Sequence, residues 1–156
     1  MTAHFKILGL GDPDDRDNAI GLELVRLLCS ELPVNILLRE VPCAGVELLQ
    51  EFLEPAPIIF ITAMENDQPV GDVTSFRWGE TLAQFVEAMQ NSTCSESVFD
   101  VIALAKEVGY ELPPIYFIGV SVHQAGPGEG LSKELARKLP AVLKKVRKMI
   151  AEITKK

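Results

Sequence analysis

The residues with the most evident chemical capacity stand in GLGDPDDRDNAIG, Gly9 to Gly21, where Asp12, Asp14, Asp15 and Asp17 fall within six positions. Carboxylates at that density can hold a divalent cation or simply solvate an acidic turn. They do not make a phosphate cradle: the GxxxxGK[ST] and GxGxxG patterns are absent, and four negative charges repel a phosphate. An EF-hand loop would alternate its carboxylates around a central glycine, end in glutamate and sit between two helices, and this stretch does none of these. A serine nucleophile would need a strained GxSxG elbow, which the chain lacks. Thiol chemistry would need a cysteine and a histidine close in space, and Cys94 with His123 is the pair that loop positions allow. His4 begins an apolar run and reads as structural.

These residues need elements to position them, and the hydrophobic pattern supplies an alternation. Phe5 to Leu10 is an apolar run, and Ala19 to Leu32 carries helical spacing through Ile20, Leu24, Leu27 and Leu28. Val34 to Val41 reads as a second strand and Val46 to Leu53 as a short helix closed by the prolines of EPAP. Ile58-Ile59-Phe60-Ile61 has the β-branched and aromatic character of a strand buried on both faces. GDVTSFRW alternates, as a half-exposed edge strand does, and could run antiparallel; Phe76 and Trp78 on it read as half-buried core rather than a partner contact. A helix from Phe99 to Val108, a buried strand from Ile115 to Val122 and a long amphipathic helix from Ser132 to Thr154 complete the order βαβαββαβα.

That order predicts a single three-layer α/β domain over residues 1–156. Its sheet should be mostly parallel and twisted, of about five strands, with one antiparallel edge strand, helices on both faces and right-handed crossovers. Ligands of such folds sit outside the carboxyl ends of the strands. The loops to read are therefore Gly11 to Asn18, Thr62 to Asn66, Asn91 to Glu96 and His123 to Gly130.

Composition narrows the function classes. A chain of 156 residues with 47% hydrophobic and 24% charged residues matches one folded domain. A net charge of -7 opposes binding to nucleic acid or to an anionic membrane surface. The basic run KKVRK and the terminal KK read as a solvated helix face, with positive charge suited to a helix C-terminus. Cys29, Cys43 and Cys94 are odd in number and widely spaced with no CxxC pair, and the start of the chain has no signal-peptide pattern, which predicts a reducing cytoplasm. No apolar stretch reaches the roughly 20 residues of a membrane span.

The opening loop resembles that of the hydrogenase maturation endopeptidases, whose first loop reads GxGNxLxxDEGxG or GxGNxLxxDDGxG. GLGDPDDRDNAIG has the same length and the same glycines at Gly9, Gly11 and Gly21. CAGVELL, Cys43 to Leu49, is similar to the family's TAGxELL, and Ile58 to Ala63 stands where the family has an apolar strand ending in Asp-Ala. Gly71, Asp100 to Leu104, IGVSV and the GLS of Gly130 to Ser132 continue the resemblance over nearly the whole chain.

The resemblance implies a protease that removes a C-terminal peptide from the large-subunit precursor of nickel-iron hydrogenases, using nickel or a surrogate divalent ion. It implies metal ligands at the positions of Asn18, Thr62 and Cys94, where the family has an acidic residue, an aspartate and a histidine. It also implies substrate contact near Cys43, Ala44 and Gly45, although EVPC, Glu40 to Cys43, replaces the family's DGGT.

All three ligand types are thus changed. A neutral amide and a neutral hydroxyl are poor ligands for a borderline divalent ion, and one thiolate beside them makes an unusual set. Asp17 and His123 are the candidate substitutes, with Cys94, for a rebuilt site. The expectation is a protease-like protein with altered or lost metal chemistry. The alternative is a non-catalytic binding module for a hydrogenase subunit or for another protein.

Overall fold

Runs of β-branched and aromatic residues build the centre of the sheet. In the computed structural model, which describes residues 5–14, 16–33, 35–42, 46–65, 67–79, 93–123, 128 and 130–155, the strands β1 (Phe5–Gly11), β3 (Ile58–Glu65) and β5 (Ile115–Val122) are buried over almost their whole length. Strands covered on both faces must be apolar throughout, and these are. β2 (Ile36–Pro42) and β4 (Val73–Arg77) form the edges and are more exposed. The order is β2-β1-β3-β5-β4, parallel except for β4, which runs antiparallel to β5. The expected architecture is therefore the observed one.

Several elements differ from the sequence pattern: α1 ends at Leu28 rather than Leu32, and β2 is Ile36–Pro42 rather than Val34 to Val41. Thr62 was expected in a loop, but β3 continues to Glu65 because Thr62 to Glu65 pair one for one with Gly119 to Val122. The short helix expected at Val46 to Leu53 is a 3₁₀ helix, η2 (Val46–Phe52). The helix expected from Phe99 is α2 (Thr93–Glu107), which starts six residues earlier.

The first helix divides into a 3₁₀ turn, η1 (Arg16–Ala19), and α1 (Ile20–Leu28). Ile20, Leu24 and Leu28 recur at four-residue spacing on α1 and are fully buried against β1 and β3. α3 (Lys133–Thr154) shares that face, burying Leu135, Val142, Val146, Ile150 and Ile153. η2 and α2 cover the opposite face over Leu8, Phe60, Phe76 and Phe117. The Phe117 ring lies 5.2 Å from Phe60 and 5.1 Å from Phe76, so the edge strand is fastened by aromatic packing.

The amino edge of the sheet has its own fastening. Lys6 is 1% exposed on β1, and its ammonium donates to the backbone carbonyl and the carboxylate of Glu51 in η2. Arg39 of β2 donates to the same carboxylate. A buried charge of this kind is tolerated because it is both paired and hydrogen-bonded.

At Gly9 and Gly21 the backbone of α1 and the sheet meet with no room for a side chain. A Cβ at Gly21 would lie 2.2 Å from the Leu10 carbonyl oxygen and 2.3 Å from that of Ile61, and one at Gly9 would lie 2.2 Å from the Gly21 oxygen. No flexible side chain is available to yield. Gly21→Ala is expected to destabilise the protein by about 3 kcal/mol, by overpacking, in urea unfolding. A loss below about 1 kcal/mol would mean that α1 does not seat on β1 and β3 at this position.

Candidate functional site at the carboxyl edge

β1 leads to β2 on one side and β3 lies on the other, so the strand order reverses between β1 and β3. The crevice at such a reversal is where ligands of open α/β sheets bind. η1 folds over it, touching both β1 and β3. The approach is close, since a Cβ at Gly11 would meet the Asn18 backbone oxygen at 2.4 Å. Asn18 is 4% exposed and Thr62 is 1% exposed, so two of the three positions expected to bear ligands are buried at the crevice. The Thr62 hydroxyl donates to the Ala63 carbonyl at 3.4 Å. Opposite Thr62, the space above Gly119 is filled by the Met64 thioether.

Cys94 belongs to the first turn of α2, and its side chain lies outside the described residues. The expected substrate contacts Cys43, Ala44 and Gly45 lie outside them as well, as does His4.

Asp17 is placed differently from its acidic neighbours. It is 3% exposed, and both carboxylate oxygens are engaged by one residue 115 positions away. The Ser132 backbone N–H donates to Oδ1 at 2.7 Å and the Ser132 hydroxyl donates to Oδ2 at 2.8 Å. Ser132 also caps α3, its oxygen accepting from the Leu135 N–H at 3.3 Å. The hydroxyl is committed as donor and acceptor, so Ser132 is a cap and not a nucleophile. The sequence reads Ser132 as a helix start, but no local signal couples it to Asp17.

Two backbone bonds reinforce this junction. The Gly128 N–H donates to the Asp14 carbonyl at 2.9 Å, and the Arg16 N–H donates to the Gly128 carbonyl at 3.1 Å. Arg16 has φ 41°, a left-handed conformation that costs a non-glycine residue about 1 kcal/mol and is held here by those bonds. Asp12 accepts from the Asp14 N–H and is a turn former.

His123 follows β5, is exposed, and lies 2.7 Å from the Gln68 carbonyl oxygen through Nε2. A carbonyl only accepts, so Nε2 carries the proton, and among the described residues Nδ1 has no partner. Asp17, Val70, His123, Ser132 and Glu134 line one cavity of 450 Å³. Two of the proposed substitute ligands thus share a cavity, but Asp17 is turned into the α3 N-terminus. Among the described residues, no group of three or more His, Cys, Asp or Glu is arranged to hold a metal ion. The described donors at the crevice, a buried amide and a buried hydroxyl, do not fit nickel or zinc, which favour imidazole, thiolate and carboxylate ligands.

The architecture and its reversal point define a three-layer, doubly wound α/β domain. More particularly, the fold is that of the hydrogenase maturation endopeptidases. The hydrogenase maturating endopeptidase HybD from E. coli superposes with a TM-score of 0.77 at 23% identity, over 97% of this chain and 93% of that one. The [NiFe] hydrogenase maturation protease HybD from Thermococcus kodakarensis gives 0.68 at 22% identity, over 96% and 99%. HycI from Thermococcus kodakarensis KOD1, also a [NiFe] hydrogenase maturation protease, gives 0.67 at 17% identity, over 99% and 94%. Compared as a sequence, the chain matches no family model and no curated protein.

Removing the Asp17 carboxylate leaves the Ser132 N–H without its acceptor and loses two bonds to a charged group. Asp17→Ala is expected to lower stability by about 3 kcal/mol, and Ser132→Ala by about 1 to 2 kcal/mol. The double variant should lose less than the sum, because the two residues act as one unit. Additive losses in thermal unfolding would show that the pair does not couple.

Proposed function

We propose that this chain is a hydrogenase maturation protease-like protein that engages a nickel-iron hydrogenase large-subunit precursor in the cytoplasm. Its metal-dependent peptidase chemistry is altered or lost. The fold and the named proteins that share it support the partner class. The observation that carries the chemical half is the burial of Asn18 and Thr62 at the crevice, where neutral oxygens stand in place of carboxylates. Each would bind a divalent ion weakly, and neither can act as a general base at neutral pH. The cytoplasmic assignment rests on the cysteine pattern; no helix among the described residues is long and apolar enough to cross a membrane.

What this chain's own residues retain is a surface at the carboxyl edge. The cavity bounded by Asp17, His123 and Glu134 is ample for a few side chains of a bound peptide. The Nδ1 atom of His123 and the Glu134 carboxylate can take hydrogen bonds from such a peptide.

Two experiments test this reading. Incubated with a nickel-loaded large-subunit precursor, the protein should form a complex and leave the C-terminal extension intact by mass spectrometry. A shortened product would establish working peptidase chemistry and overturn the loss. Separately, Asn18→Glu, Thr62→Asp and Cys94→His together should create a divalent-ion site. Cadmium at about 100 times its Kd should then stabilise the triple variant by about 2.7 kcal/mol and leave the parent's melting temperature unchanged. Cadmium stabilisation of the parent that Cys94→Ala abolishes would show that a rebuilt site exists.

A further inference from the structure

The last helix carries charge in a pattern that helix stability does not explain. Residues 133–155 hold eight of the chain's fifteen Lys and Arg but only two of its twenty-two Asp and Glu. Five of these cations, Lys133, Arg137, Lys144, Lys148 and Lys155, are exposed and recur at spacings of four and seven. At 100° per residue they fall within an arc of about 60°, on the side of α3 opposite its buried row. The stripe runs about 33 Å along the helix.

Local energetics oppose this arrangement. Lys133 and Arg137, and again Lys144 and Lys148, are like charges at i,i+4, which destabilise a helix. Lys133 also occupies the first turn, where the helix dipole disfavours a cation. The solvated-face reading fits only the C-terminal cluster. Where α3 does neutralise cations it uses others: Lys138 pairs with Glu134, and Arg147 makes two bonds to Glu31. Among the described residues, no carboxylate pairs with the five cations of the stripe. Ala136, Pro140, Ala141 and Ala151 are exposed between and beside them, leaving room for a backbone to approach.

We propose that this face of α3 docks a carboxylate-rich segment of a protein partner. A row of acidic side chains on a helix or an extended strand is the occupant whose charge and linear shape complement a narrow basic stripe. A membrane surface fits less well. The apolar row of α3 is buried against the sheet and cannot insert into lipid, and the remainder of the chain holds seven cations against twenty carboxylates, which an anionic plane repels. Duplex nucleic acid is disfavoured by the same imbalance. Lys133 adjoins the Ser132 junction, so the stripe runs away from the carboxyl-edge cavity and extends a contact that begins there. The proposal does not depend on whether the partner is a hydrogenase subunit.

The test is fluorescence anisotropy of the full chain with a labelled 20-residue glutamate-rich helical peptide in 50 mM salt. Phosphatidylserine-containing vesicles and a 20-base-pair DNA duplex serve as rival probes. The peptide should bind with a Kd on the order of tens of micromolar, weakening about tenfold in 300 mM salt. Lys144→Glu with Lys148→Glu should weaken binding at least about tenfold with an unchanged circular dichroism spectrum, whereas Arg77→Glu with Lys106→Glu should not. If the double α3 variant fails to fold, Lys144→Ala with Lys148→Ala carries the same expectation at about threefold. No binding of the peptide, equal loss in the Arg77 and Lys106 variant, or tighter binding to vesicles or DNA than to the peptide would each overturn the proposal.

Discussion

The contact on which the arrangement depends is the seat of Gly21 on the carbonyl oxygens of Leu10 and Ile61. It brings the start of α1 against the two strands between which the sheet reverses direction. A helix held there by its backbone leaves little latitude to the residues just before it. Asn18 and Asp17 are therefore placed by the same contact, three and four residues upstream. Hydrophobic burial of Ile20, Leu24 and Leu28 supplies the driving force, but it would tolerate a shift that the glycine contact does not.

Within this frame the described acidic residues of the first loop, Asp12, Asp14 and Asp17, take two roles. Asp12 and Asp14 shape the turn, one through its side chain and one through its backbone carbonyl. Asp17 is drawn inward as a structural anion whose charge is met by the α3 N-terminus and the Ser132 hydroxyl. A carboxylate so placed ties η1 to the start of the last helix. Beside the crevice, the described positions 18 and 62 carry neutral, buried side chains. The fold is shared with the hydrogenase maturation endopeptidases, and a fold does not by itself fix the chemistry at its centre.

The sheet was legible because its strands are distinct in composition. Ile58 to Ile61 and Ile115 to Val122 are dominated by β-branched and aromatic residues, and the alternation around Phe76 marked an edge. The end of β3 was not legible, since Thr-Ala-Met-Glu has weak strand preference and is held by pairing to β5. The first turn of α2, Thr-Cys-Ser-Glu, likewise lacks apolar periodicity. In the site, the neutral residue types at positions 18 and 62 could be read directly. The engagement of Asp17 could not, because its partner, Ser132, caps the last helix and nothing within reach of a local pattern specifies it.

That separation also bears on the order in which the molecule assembles. A bond between residues 17 and 132 closes most of the chain into a loop, and it returns free energy only after β5 has joined the sheet and α3 has docked. The α1 seat, by contrast, needs only β1 and β3. We therefore expect the carboxyl edge to be the last part of the protein to become ordered. In pulse-labelling during refolding, the Ser132 amide should gain protection after the amides of β1 and β3, and simultaneous protection would argue against this sequence of events. A nascent chain lacking its final helix would hold a finished sheet and an unfinished site.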